Sequence, residues 1–117
     1  MTRILLAAAV AMCIASPTIA QRSLTYAVEG VTPGGTRYEG AAQLRATGPQ
    51  TWTMTWTIAG TTTTGVGVTG GPMLIVGYVT EGQPGTGAYE VQPDGRLLGR
   101  WTQGTQGGVG TETLTPR

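Results

Sequence analysis

From Thr51 to Ile58 apolar and hydroxyl side chains alternate without a break. Trp52, Met54, Trp56 and Ile58 interleave with Thr51, Thr53, Thr55 and Thr57. A period of two puts one set on each face, which predicts a half-buried β-strand over 51–60. Two indoles on one face can fill much of the centre of a small β-domain.

The same alternation recurs along the chain. Leu24, Tyr26 and Val28 predict a first strand over 23–30, and Pro33-Gly34-Gly35 predicts a turn after it. In 37–47, Tyr38, Gly40, Ala42, Leu44 and Ala46 share a face. The small Gly40 and Ala42 leave room for Trp52 or Trp56. The Thr-rich 61–69 predicts a fourth strand whose Gly65 and Gly67 lie on one face. Such a stripe marks either a bend or a shelf for an aromatic ring.

Met73–Thr80 is the most apolar run, which predicts burial on both sides or at an interface. The 81–87 stretch is expected to be the longest loop. Ala88–Gln92, Arg96–Thr102 and Val109–Thr115 complete eight strands, with Pro93-Asp94-Gly95 as a tight hairpin turn. No stretch beyond residue 22 carries a helical period. The fold class expected is all-β: about eight short antiparallel strands in a meander, forming a small closed or nearly closed barrel, with a β-sandwich as the alternative.

The first 20 residues change the picture of location. Arg3, the apolar run Ile4–Ala15, helix-breaking Pro17 and small Thr18 and Ala20 predict a signal peptide over 1–20. That apolar run is too short to span a bilayer. A single domain over 21–117 would then be periplasmic or secreted. Cys13 lies within the leader, so the exported domain has no thiol and no disulfide.

Beyond residue 20, six arginines are balanced by six acidic residues, and lysine and histidine are absent from the chain. No basic run exists to displace counterions from a nucleic acid or to hold a membrane surface. The only serine there is Ser23. Most nucleophiles, general bases and metal ligands are therefore missing. Glu39 and Glu90, each following a tyrosine, are the remaining carboxylate pair. A solvent-facing role beside arginine suits them better than paired acid–base work. No catalytic residue, cofactor or metal ligand is assigned. Trp52, Trp56, Trp101, Tyr38, Tyr78 and Tyr89 are the candidate ligand-lining or core residues.

The order Tyr38-Glu39-Gly40, Trp56-Thr57-Ile58-Ala59-Gly60, Gly65-Val66-Gly67, Leu74–Tyr78, Tyr89-Glu90-Val91, Asp94–Trp101 and Gly110–Pro116 resembles a group of small secreted bacterial β-proteins. Some of these carry the label fibronectin-binding protein. The likeness spans roughly 24–116, and its motifs are glycines, turns and core aromatics, so no functional residue is carried over. It implies a non-enzymatic exported barrel that binds an extracellular protein such as fibronectin. Strand addition at an exposed edge, with Met73–Thr80 as the motivating strand, would be the physical route. The alternative is a small hydrophobic-ligand carrier with its pocket beneath Trp52, Trp56 and Trp101.

Overall fold

In the structure, a computed structural model that describes residues 23–117, eight strands close into an antiparallel barrel. They are β1 (Ser23–Val31), β2 (Arg37–Ala46), β3 (Thr51–Ile58), β4 (Thr61–Gly70), β5 (Met73–Thr80), β6 (Gln83–Val91), β7 (Leu97–Gln103) and β8 (Gly110–Pro116). Each strand pairs with the next, and β8 pairs with β1 from Thr111↔Val31 to Pro116↔Tyr26. Closure leaves no unpaired edge, which decides between barrel and sandwich. The proposed leader, residues 1–20, lies outside the described residues.

The barrel follows from the alternation. Trp52, Met54, Trp56 and Ile58 face inward, and the β3 threonines face out. Ala42 stands opposite Trp56 in the β2–β3 ladder, as the small-residue argument requires. Gly65 and Gly67 both face inward as shelves: Gly67 pairs with Trp52, and Gly65 with Tyr78.

Two expectations fail. The 81–87 stretch is not a long loop. Glu81-Gly82 makes a two-residue turn and β6 starts at Gln83. Pro84, Gly85 and Gly87 read as turn residues, yet Gly85 and Gly87 serve as inward small positions, and Pro84 sits at the strand's start, where a missing N–H is tolerated. Of the two alternatives for Met73–Thr80, burial on both faces also fails. Leu74 and Val76 are buried, while Ile75 and Val79 project to the outside, Val79 with 63% of its surface exposed. A closed barrel offers only one dry side.

Four of the connections gather at one end: the turns 32–36, 59–60 and 81–82 and the loop 104–109. At the opposite end the barrel is plugged. Val28, Leu44, Met54, Leu74, Leu97 and Leu114 pack into one cluster with Tyr26.

Candidate functional site

One row of inward positions builds the site. Tyr38 pairs with Gly30, Gly30 with Glu112, Glu112 with Gly99, and Gly99 with Tyr89. A carboxylate thus stands between two glycines, with a tyrosine beyond each. The glycines are needed for reach: a Cβ at Gly30 would fall inside the Tyr38 ring, and one at Gly99 inside the Tyr89 ring. Each phenol lies flat across its glycine and arrives at Glu112 from its own side.

Glu112 is only 6% exposed. Its Oε2 accepts the Tyr38 hydroxyl at 2.7 Å. Its Oε1 accepts the Trp56 indole N–H at 3.1 Å and, in a short bond, the Tyr89 hydroxyl. Trp56 reaches it from β3, across the barrel interior. No ion pair to Glu112 exists among the described residues, where Arg96–Asp94 is the salt bridge present. Three donors offset the cost of burying a charge without cancelling it.

The phenols respond to this carboxylate. Burial first, then the negative charge of Glu112 and its hydrogen bond, pushes Tyr38 and Tyr89 far above the ordinary phenol range. Burial and the same charge push Tyr78 up to about 12. The buried Trp101 Nε1–H is close enough to the Tyr38 phenol to oppose its rise, without hydrogen-bonding geometry. All three tyrosines therefore stay protonated donors at neutral pH. The Tyr78 hydroxyl donates a hydrogen bond to the Thr102 carbonyl at 3.2 Å.

Above this network lies a cavity of about 330 Å³ at the end of the barrel that carries the 32–36, 59–60 and 81–82 turns. Buried Glu112, Trp56 and Tyr89 form its inner wall, and exposed Thr61 and Glu81 its rim. Tyr38, Tyr78 and Trp101 stand between. Tyr38 meets Trp101 edge-on, with ring centroids 6.2 Å apart, and Trp56 meets Tyr78 at 5.3 Å. Tyr78 rests on Gly85, and Trp101 on Gly110. The Thr63 and Thr80 hydroxyls bond one another at 3.2 Å beside them.

The structure thus brings together Tyr38, Trp56, Tyr78, Tyr89 and Trp101 of the six aromatic candidates. Trp52 is separate: it faces inward near the plugged end, opposite Ala46 and Gly67. A pocket beneath all three tryptophans is therefore corrected to one lined by Trp56 and Trp101. Glu39 and Glu90 are exposed on β2 and β6, on the outer face four strands apart in the ring. They do not converge on a common point.

The site residue that sequence reasoning missed is Glu112. The signal was present. Gly110, Glu112 and Leu114 alternate with Thr111, Thr113 and Thr115, so period two from Leu114 places the carboxylate inside.

No family model matches the chain, and no curated protein matches it. Among solved structures the chain is similar to a designed protein described as "De novo design of a fluorescence-activating beta barrel". The TM-score is 0.65 at 13% identity, covering 86% of this chain and 97% of that one. The likeness bears on the fold alone: it agrees with the β-barrel that the eight antiparallel strands form.

Proposed function

We propose that the protein is a non-enzymatic barrel that holds a small molecule in the cavity at its open mouth. The observation that carries this reading is the cavity itself. Eight-stranded barrels are wide enough either to be filled by side chains or to hold one small ligand. This one is filled at one end and hollow at the other. About 330 Å³ suits a compact ligand of one or two rings, and the lining is mainly aromatic with a few fixed polar groups. The described similarity to a designed fluorescence-activating barrel supports a fold able to carry such a site.

The test is titration of the purified protein with a neutral bicyclic aromatic such as 2-naphthol, followed by tryptophan emission. Saturable quenching that is lost in Trp101→Leu and kept in Trp52→Leu is expected. An unchanged spectrum up to millimolar ligand would count against the reading.

A second reading, attachment to an extracellular protein such as fibronectin, has one supporting observation. Residues 51–80 contain no charged residue, so the outer face of β3, β4 and β5 is a band of threonine and valine. Val66 is 67% exposed there, with Val68 and Ile75 beside it. Strand addition at β5 is not the route, because β4 and β6 already occupy both its sides. Face-to-face docking would be. Immobilised fibronectin binding that Val66→Arg abolishes is the expected result, and no saturable signal at micromolar concentration removes this reading.

A further inference from the structure

Resting on the small-molecule reading, we infer that the mouth cavity selects a methylated ammonium ion: a compact organic cation that carries charge but few or no N–H donors.

Charge gives the first argument. The lining holds two carboxylates, Glu112 on the inner wall and Glu81 on the rim, and neither arginine nor lysine. Glu112 is buried without a cationic partner among the described residues. A buried carboxylate retains a desolvation cost that hydrogen bonds alone only partly offset. An anionic ligand would meet two like charges in a confined space. A neutral one would leave the carboxylate as it stands. A cation would complete the pair.

The second argument concerns hydrogen bonding. A carboxylate offers about four acceptor sites. The wall already fills three, with Tyr38, Tyr89 and the Trp56 indole. A primary ammonium brings three N–H donors that need acceptors, and the site has few to spare. A methylated ammonium needs none, because its charge is spread over methyl groups that interact through space.

The third argument is the wall. Tyr38, Trp56, Tyr78 and Trp101 surround the cavity next to the carboxylate. Aromatic rings attract cations through their quadrupoles, tryptophan most strongly, and recognise quaternary ammonium groups in this way. The rings are fixed rather than adaptable: Tyr38, Tyr78 and Trp101 each lie on a glycine, and Tyr38 and Tyr78 are also tied by their hydroxyls.

The experiment compares two ligands of nearly identical shape, choline and its neutral carbon analogue 3,3-dimethylbutan-1-ol, by calorimetry on the purified protein, with 2-naphthol as reference. Choline is expected to bind about 30-fold more tightly than the alcohol, the ratio to which ~2 kcal/mol of cation–π and charge attraction corresponds. Raising the salt concentration should narrow the gap. Glu112→Gln, with its fold checked by near-ultraviolet circular dichroism, should reduce the preference to a few-fold. Glu81→Gln, at the exposed rim, should lower it slightly.

Equal binding of choline and the alcohol overturns the cation inference and leaves the small-molecule reading intact. Binding of 2-naphthol alone does the same. Failure of all three ligands overturns both.

Discussion

The two halves of the barrel interior obey different packing rules, although the same strands build both. At the plugged end, large apolar residues stand next to one another across neighbouring strands. Leu97, Leu114 and Val28 form one such row, and Met54, Leu44 and Leu24 another. At the mouth, large residues stand next to glycine. Tyr38 leans on Gly30, Tyr78 on Gly85, Tyr89 on Gly99, and Trp101 on Gly110. Aliphatic neighbours pack against one another in a single buried cluster. A ring laid over a glycine covers the wall and leaves the centre open. The cavity is a consequence of that pairing, and the carboxylate between Gly30 and Gly99 is reached because the glycines clear the way.

The largest effect expected sits in the plugged half. Met54 and Leu114 are both fully buried. Met54→Ala or Leu114→Ala should cost about 2–5 kcal/mol in urea unfolding, the range for deleting a close-packed aliphatic side chain. Trp101→Leu, which removes a comparable volume at the half-open mouth, should cost clearly less. Equal losses would show that the mouth is packed as tightly as the plug.

Next comes the network around Glu112. Tyr89→Phe removes one donor from a buried carboxylate and should cost about 1.5–3 kcal/mol, the range for hydrogen bonds to charged groups. Tyr38→Phe, in a more exposed position, should cost less. A negligible loss for both would mean that Glu112 does not depend on its phenols.

The plugged half and the barrel closure were legible in the chain because alternation reports directly on a sheet with one dry face. Residues such as Met54 and Leu114 need only be apolar and in phase. The mouth was less legible. Gly85 and Gly87 look like loop residues, since a glycine's partner ring lies on another strand and only register reveals it. Glu112 is marked only by its phase with Gly110 and Leu114, a weak signal against the general rule that carboxylates face water. Trp52 and Trp56 share a strand face, yet four steps of about 3.3 Å each place them in different halves.

Alkaline pH should distinguish the halves without a mutation. The folded state holds Tyr38 and Tyr89 well above their unfolded value and Tyr78 at about 12. A group whose folded value is raised binds its proton more tightly when folded. Its contribution is complete below pH 10 and declines as pH rises through the folded value. Stability should therefore fall from about pH 10 upward, most steeply between about 10 and 12, where all three phenols keep their protons only in the folded state. Phenolate absorbance from the mouth tyrosines should appear together with unfolding rather than before it. Tyr89→Phe should flatten the decline, and Leu114→Ala should shift the whole curve down without changing its shape. Phenolate formation near pH 10 in the intact fold would contradict the burial of these groups.

The smallest effect expected lies in the turns, and it too separates the two ends. Ala59 and Glu81, each with φ of 52°, are the non-glycine residues in the left-handed region among those described, and both occupy two-residue turns at the mouth. Each is followed by a glycine at positive φ, Gly60 and Gly82, as the hairpin turn favoured by strand twist requires. Glycine at the first position would relieve the Cβ conflict but also loosen the unfolded chain, so the net gain is modest. Ala59→Gly should raise stability by about 0.5 kcal/mol in thermal unfolding and leave ligand binding unchanged. Glu81→Gly should bring a similar gain and weaken cation binding, because Glu81 holds its charge at the rim of the cavity. Strain retained at a functional position is expected where the side chain has a task there. A loss of stability in Glu81→Gly would show that the turn is kept for its geometry, not for the carboxylate it presents.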